Sequence, residues 1–354
     1  MTINDNCLTP FKSNEVWFIE ISKNKNYICV GFSNANISVF NIKKDKNKEI
    51  SIYLNLTFSG NESNKKDELT AICPSNDEKY ILAGLGSFKV IIFDILNGQK
   101  IKEFKNLHNS GITSIIPMPN SNSKFLSSSI DKRILMLDIS NNDNSIVEIG
   151  KFCRMRQILF SEIFNYIIIL SGSKNEISCY NLSTNKIELT IMTNEPIVYG
   201  NISKSDKGKY LIYNTSKDKP KINLYNLEKK IIEEKFSGHT QKLMIIKCCF
   251  GGDKDQLILS GSEDYTVYVW ERGYSVLPKY RFKDHFGIVN GAEMWNNDFI
   301  ISISDDKSIK IWFSKNKNVK DIKYIKSNKN NFVMKEVDID TDFFKAMNEP
   351  INND

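Results

Sequence analysis

Residues 238–270 read GHTQKLMIIKCCFGGDKDQLILSGSEDYTVYVW, and residues 285–312 read HFGIVNGAEMWNNDFIISISDDKSIKIW. Each stretch has a histidine at its start, a serine four residues before an aspartate, and a tryptophan six residues after that aspartate. Short apolar runs separated by polar turns lie between these markers, as is typical of successive β-strands. The two stretches therefore predict one supersecondary unit that occurs twice in a row.

This arrangement is typical of a WD repeat, which folds as one four-stranded blade of a β-propeller. The aspartate between the second and third strands can accept a hydrogen bond from the histidine ring. The other ring nitrogen then accepts from the serine hydroxyl, which in turn accepts from the tryptophan N–H. We expect such buried networks in three blades, with Leu137 in place of the tryptophan in the first of them: His108, Ser127 and Asp131; His239, Ser260, Asp264 and Trp270; and His285, Ser302, Asp306 and Trp312.

The third strand of the repeat sets the register of the whole chain. It reads apolar, variable, apolar, large apolar, and seven copies occur at intervals of 42 to 53 residues, which matches the period of propeller blades. The prediction is an all-β fold, a seven-bladed WD-repeat β-propeller. Each histidine stands four residues before the first expected core residue of its blade, which makes Leu243 the start of the first strand in blade six.

Domain boundaries follow from the same register. We expect the propeller over residues 1–327 and a C-terminal tail over residues 328–354. Closure of the ring requires a fourth strand for blade seven, because an open sheet edge invites pairing with other chains. Residues 2–8 and residues 321–326 are the two candidates, and we favour the N-terminal strand because the repeat begins after it.

Composition excludes several classes of protein. The 354 residues are 41% hydrophobic and 25% charged, and no window approaches the roughly 18 to 20 apolar residues of a membrane span. The net charge of +6 comes from lysines spread along the chain, which does not favour nucleic-acid binding. The seven cysteines show no C-x-x-C spacing, so we expect neither a metal site nor disulfides. We expect a soluble protein of the cytoplasm, with the nucleus as a second location.

Catalytic chemistry is not expected. All three histidines occupy the structural slot of the repeat, and no phosphate-binding loop or H-E-x-x-H motif is present. His239, Ser260 and Asp264 could be taken for a catalytic triad, but the serine is expected to face Trp270 within a strand. We therefore expect no enzyme activity, no cofactor and no catalytic residue.

Five residues are candidates for partner contacts. Ser33, Glu263 and Asp305 lie in turns that border the central mouth of a propeller, and Arg154 and Arg156 flank Met155 at the start of blade four. Two arginines can hold an acidic side chain or a C-terminal carboxylate. The alternatives are solvated turn ends and a single exposed basic loop.

The segment 243–270 also resembles the sixth blade of the WD-repeat subunit of the GID/CTLH ubiquitin ligase, whose members carry a CFGG turn followed by SGSED and a V-Y-x-W strand. Residues 14–18, NEVWF, resemble the first blade of that family, and Val289-Asn290 with Ser304-Asp305-Asp306 resembles its last. Members carry LisH and CTLH helical modules upstream, which are not found before Cys7 here, and Lys12 replaces the histidine of blade one. This sequence is either a fragment that begins at the propeller or a version without those modules.

The resemblance implies a non-enzymatic scaffolding or substrate-recruiting subunit whose partners are ubiquitin ligase subunits and substrates. A propeller that reads peptides or nucleic acids in another complex is the alternative. A propeller hydrolase would require carboxylates that converge in the central channel.

Overall fold

The computed structural model describes residues 15–46, 50–60, 67–140, 145–216, 219–314, 322–324 and 332–337. These residues form seven sheets, antiparallel except for one parallel pair in each of two sheets, and no helix. Each sheet contains three or four strands that are consecutive in sequence, in the order expected for a blade. The predicted fold class, a seven-bladed β-propeller, is confirmed.

The strands of each blade follow one another from the centre of the ring outward. Blades one to four contain β1–β4 (Val16–Ile21, Tyr27–Phe32, Asn36–Lys44, Ile50–Ser59), β5–β8 (Leu69–Pro74, Tyr80–Leu85, Val90–Asp94, Lys100–Phe104), β9–β12 (Ile112–Pro117, Lys124–Ser129, Arg133–Asp138, Ser145–Lys151) and β13–β16 (Met155–Ser161, Tyr166–Ser171, Glu176–Asn181, Lys186–Met192). Blades five and six contain β17–β20 (Ile197–Ile202, Tyr210–Thr215, Ile222–Asn226, Ile231–Phe236) and β21–β24 (Cys248–Gly251, Leu257–Ser260, Thr266–Glu271, Tyr280–Lys283). Blade seven contains β25–β27 (Val289–Trp295, Phe299–Ser304, Ile309–Ser314) and is followed by β28 (Ile322–Tyr324) and β29 (Phe332–Val337).

The apolar core lies between the blades. The first strands of successive blades contact one another around the ring, and β1 of blade one contacts β25 of blade seven. Seven hydrophobic clusters result, and each of them is shared by two neighbouring blades. Because an isolated sheet would expose both of its faces, each blade depends on its two neighbours for burial.

Buried polar side chains also join the blades. The Gln157 amide of blade four donates to the Gly200 carbonyl of blade five at 3.1 Å and accepts from the Gly200 N–H at 2.9 Å. Asn214 of blade five donates to the carbonyl of Ile246 at the start of blade six, at 2.8 Å. Asn290 of blade seven donates to the Val16 carbonyl of blade one, also at 2.8 Å. These bonds satisfy backbone groups that the sheets leave unpaired.

The structure corrects the expected closure of blade seven. Its fourth strand is β29, which pairs in parallel with β27 and comes from the segment assigned to the C-terminal tail. The second candidate, residues 321–326, contributes β28, which instead pairs in parallel with β4 of blade one. The favoured N-terminal candidate, residues 2–8, lies outside the described residues. The edge of β27 is therefore covered, and the two consecutive strands β28 and β29 lie on opposite sides of the junction between the first and last blades.

The reciprocal bonds between Gln157 and Gly200 provide a test of the blade junctions. Gln157→Leu removes the partners of one buried N–H and one buried carbonyl, so it should lower the free energy of unfolding by about 2 to 4 kcal/mol. Urea denaturation measures this loss. Gln99→Leu is the matched control: Gln99 is exposed, and its replacement should change stability by less than about 0.5 kcal/mol. Equal effects of the two substitutions would contradict the proposed role of the junction.

Candidate interaction site

Blade seven contains the complete hydrogen-bond network. His285 Nδ1 lies 2.8 Å from an Asp306 carboxylate oxygen, and His285 Nε2 lies 2.7 Å from the Ser302 hydroxyl. The Trp312 indole N–H donates to the same hydroxyl at 2.8 Å. In blade three, His108 Nδ1 lies 3.1 Å from Asp131 and His108 Nε2 lies 3.0 Å from Ser127. The structure thus brings both predicted sets together.

Electrostatics in these two blades favour a charged aspartate beside a neutral histidine. Burial opposes ionisation of Asp131, but hydrogen bonds from Asn109 and Arg133 outweigh it and lower the pKa of Asp131 to about 2. Burial likewise opposes ionisation of Asp306, and the bond from His285 holds the pKa of Asp306 well below its ordinary value. Burial lowers the pKa of the His285 ring, and Asp306 offsets part of that shift. Each histidine is therefore an internal support of its blade.

The prediction for blade six is wrong at His239. Its ring is buried, yet neither ring nitrogen has a hydrogen-bond partner. The Tyr268 hydroxyl donates to Asp264 at 2.6 Å, the Ser260 hydroxyl donates to the Gly261 carbonyl at 2.9 Å, and the Trp270 indole donates to the Ser237 carbonyl at 3.0 Å. Each expected partner of the ring is therefore engaged elsewhere, and burial lowers the pKa of His239 to about 4.

An insertion accounts for this difference. The network serine pairs with the residue seven positions after the histidine in blade three (Ile115) and in blade seven (Ala292). In blade six Ser260 pairs with Cys248, nine positions after His239. The two additional residues delay the first strand until Cys248 and leave Leu243 91% exposed, so the expected strand start at Leu243 is also wrong. The longer interval between histidine and serine in the sequence, 21 residues in blade six against 19 in blade three, is the signal that could have revealed the insertion.

Glu263, a predicted partner contact, holds this insertion in place. One of its carboxylate oxygens accepts the backbone N–H groups of Lys242, Leu243 and Met244 at 2.7, 2.9 and 3.0 Å. The backbone N–H of Glu263 donates to the Thr240 carbonyl at 3.0 Å. The carboxylate is therefore committed to the protein itself and fixes a loop that carries exposed apolar side chains.

Two other candidates also have internal roles. Asp305 accepts a hydrogen bond from Asn290 at 2.7 Å, and burial raises the pKa of the Asp305 carboxyl. Ser33 is half-buried, and its backbone N–H donates to the Glu15 carbonyl. The Asp305 side chain is therefore engaged within the protein, and the backbone of Ser33 is held in its turn.

The two arginines differ in their surroundings. Arg154 is exposed, whereas Arg156 is half-buried and lines the central cavity of about 1030 Å³. The Arg156 Nε atom is buried without a partner, and within the described part of the chain its guanidinium forms no ion pair. Burial, together with the charge of Arg154, lowers the pKa of Arg156. The exposed residues Leu243, Met244 and Ile245 line the same cavity.

Charged groups also lie deeper in the channel. Lys247 of blade six forms an ion pair with Glu20 of blade one at 3.0 Å, and its Nζ lies 4.9 Å from the centre of the Phe18 ring. Burial raises the pKa of Glu293 to about 7, with Lys204 and Lys247 acting in the opposite direction. The channel thus contains charged side chains among its apolar lining, and exposed apolar side chains lie at its mouth.

Reactive groups are scarce within the described ranges. Of the described cysteines, all but the half-buried Cys153 are buried, and burial raises the pKa of Cys179 and Cys248 to about 12, which keeps these thiols protonated. Across the same ranges, no group of three or more histidine, cysteine or acidic side chains could hold a metal ion. None of the described segments contains a helix that would reach across a lipid bilayer.

Comparisons with known proteins agree with the repeat pattern. The family "WD domain, G-beta repeat" matches residues 230–271. The chain is 29% identical over 307 residues to the WD repeat-containing protein WDS homolog of Arabidopsis thaliana, covering 84% of this chain and 55% of that protein. It is 27% identical over 149 residues to GID complex subunit 7 of Schizosaccharomyces pombe, covering 42% of this chain and 28% of that protein.

Among solved structures, the β-propeller domain of Cps50 (Swd1) from Myceliophteria thermophila superimposes with a TM-score of 0.67. The match covers 84% of this chain and 96% of that one at 11% sequence identity, so the likeness concerns the fold. The chain spans about half the length of the Arabidopsis relative, 55%.

The contrast between His239 and His285 predicts opposite effects of the same substitution. At pH 7, His285→Leu should lower the free energy of unfolding by about 3 to 5 kcal/mol, because Asp306 would remain buried without its partner. His239→Leu should leave stability equal or higher, because the ring nitrogens that it removes have no partners. Urea denaturation of both variants distinguishes these outcomes, and equal losses would contradict the arrangement in blade six.

Acidification gives a second test. The folded-state pKa of His239, about 4, lies below the ordinary value of 6.5. Its neutral ring therefore favours folding fully above about pH 6.5, and that contribution is lost as pH falls toward 4. Between pH 7 and pH 4.5, wild type should lose about 2.5 kcal/mol more stability than His239→Leu. Parallel pH profiles of the two proteins would contradict this expectation.

Proposed function

We propose that this chain, a WD-repeat protein with a seven-bladed propeller, acts as a non-enzymatic scaffold that recruits proteins within a GID/CTLH-type ubiquitin ligase. The observation that supports the scaffold role is the set of side chains at the mouth of the channel. There the protein places exposed apolar side chains and an arginine whose buried Nε has no partner around one cavity. Leu243 is 91% exposed and the Arg156 Nε is unpaired, and both features are suited to contact with another protein.

The histidines support the absence of catalysis in this proposal. His108 and His285 are bound within their blades, and His239 is buried with a low pKa. A general base must reach a substrate proton, and all three histidines are buried. WD-repeat propellers are typically protein-interaction scaffolds.

The ligase assignment is supported by two further observations. The yeast protein with 27% identity over 149 residues is named as a subunit of the GID complex. The CFGG turn and the residues NEVWF resemble the WD-repeat subunit of the same type of ligase. Within a ligase, a scaffold brings substrates or subunits together and leaves ubiquitin transfer to others.

Affinity purification of the tagged full-length gene product from its own cells tests this assignment. We expect RING-bearing and CTLH-type subunits to be recovered, and an unrelated seven-bladed propeller with the same tag is the control. Cross-linking before purification would identify which blades contact the ligase. Recovery of neither type of subunit would overturn the ligase assignment.

A cysteine variant separates a scaffold from an enzyme that carries ubiquitin as a thioester. Cys153 is the half-buried cysteine of the described residues, and Cys7 lies outside them. The double variant Cys7→Ser, Cys153→Ser should support the same rate of substrate ubiquitination as wild type in the purified ligase. A loss of transfer without a loss of assembly would contradict the scaffold role.

A further inference from the structure

The insertion in blade six displays apolar side chains that the fold does not use. Leu243, Met244 and Ile245, here named the 243–245 loop, are 91%, 39% and 55% exposed. The next residue, Ile246, is fully buried, so the chain returns to the core directly after the loop. Three adjacent exposed apolar side chains are a feature that proteins keep for interaction surfaces.

The 243–245 loop is held in this position. Glu263 accepts the N–H groups of two loop residues and of Lys242. The fully buried side chain of Gln241 accepts from Asn214 at 2.9 Å and donates to the Met244 carbonyl at 3.3 Å. A partner would meet apolar side chains on a backbone that is already ordered, so binding would lose little conformational entropy at this loop.

Arg156 supplies the second half of the surface. It lines the same cavity as the loop, two blades away, and its buried Nε has no partner. Two other arginines are engaged: Arg133 binds Asp131 at 2.9 Å, and Arg272 donates to the Asp255 carbonyl at 3.2 Å. A buried N–H without an acceptor is unfavourable, and a carboxylate can satisfy the Nε–H while a second, parallel hydrogen bond forms to a terminal nitrogen of the same guanidinium.

We propose that the mouth of the channel binds an extended segment of a partner protein in which an acidic residue lies close to bulky apolar residues. The carboxylate binds Arg156, and the apolar side chains pack on the 243–245 loop. This inference rests on the proposed scaffold role and adds the chemical class of the segment that is recruited.

The geometry favours an acidic side chain over a phosphate or a nucleic acid. The three amides that could surround a phosphate near the loop are already bound by Glu263. Glu263 and Asp305 place two carboxylates on the same side of the ring, and these would repel a polyanion. A single carboxylate of a partner could bind the Arg156 cation without approaching Glu263 and Asp305.

Selection of twelve-residue random peptides on the immobilised full-length chain tests the proposal. Recovered peptides should be enriched in aspartate or glutamate beside leucine, phenylalanine, isoleucine or methionine. Fluorescence anisotropy then gives the Kd of a selected peptide and of its amide version, in which asparagine or glutamine replaces the acid. We expect binding to wild type to weaken about tenfold or more when the acid is replaced.

Protein variants locate the two contacts. Arg156→Gln should weaken the acidic peptide about tenfold or more and should bind the acidic and amide peptides equally, while Arg156→Lys should recover part of the affinity. Leu243→Ser should weaken both peptides about fivefold. Leu96→Ser is the matched control, because Leu96 is 89% exposed but lies in the turn between β7 and β8, away from the channel, and it should leave Kd unchanged. Thermal melts of all variants confirm that they fold.

Several results would overturn the proposal. These are the recovery of no binding peptide, recovered peptides without acidic enrichment, or an unchanged Kd in both Arg156→Gln and Leu243→Ser. Tighter binding of a phosphoserine version or of a twelve-nucleotide single strand would assign the site to phosphate. Tighter binding of a synthetic peptide of residues 338–347, DIDTDFFKAM, would replace the partner with this chain's own segment.

The test is separate from that of the ligase assignment. Peptide binding uses the purified chain alone, whereas the ligase assignment depends on subunits recovered from cells. Failure to recover ligase subunits would leave the peptide result intact. Absence of peptide binding would leave the ligase assignment intact.

Discussion

Neighbouring blades share the apolar clusters of this propeller, and this sharing is the constraint on which the rest of the structure depends. No sheet covers its own faces, so each contributes side chains to two clusters. Polar bonds such as those of Gln157 and Asn290 then satisfy backbone groups at the junctions. The mouth of the channel, formed by turns of all the blades, gains its rigidity from a closed ring.

The repeat pattern predicts most of the fold because strand period, turn position and the third-strand motif are local properties of the chain. The same locality limits the prediction at His239. Serine, aspartate and tryptophan keep their spacing in blade six, but the network also depends on where the histidine lies relative to the strand. Two additional residues and the competing hydroxyl of Tyr268 change the partners of Asp264. Side-chain choices of this kind depend on three-dimensional proximity, which a spacing pattern does not contain.

Closure of the ring and the proposed interaction surface were less predictable for related reasons. Short apolar segments near both ends of the chain could each complete blade seven, and the pairing of β29 depends on which edge it reaches. Motifs that carry the family resemblance lie largely at blade junctions: Asn290 contacts Val16, and Cys249 contacts Ala292. These motifs therefore reflect how neighbouring blades join. The surface around Arg156 and the 243–245 loop appears in the sequence only as two arginines and a longer interval.

The ion pair between Lys247 and Glu20 has a mechanical consequence. It connects blade six to blade one past the first strand of blade seven, where a Cβ on Gly291 would lie 3.3 Å from that of Lys247. It therefore crosses the junction between blade seven and blade one, which the pairing of β28 with β4 also spans. Opening the ring at this junction would separate the opposite charges of Lys247 and Glu20 as well as the apolar side chains that blades one and seven share. Binding at the mouth of the channel would therefore rely on side-chain changes there and not on movement of the blades.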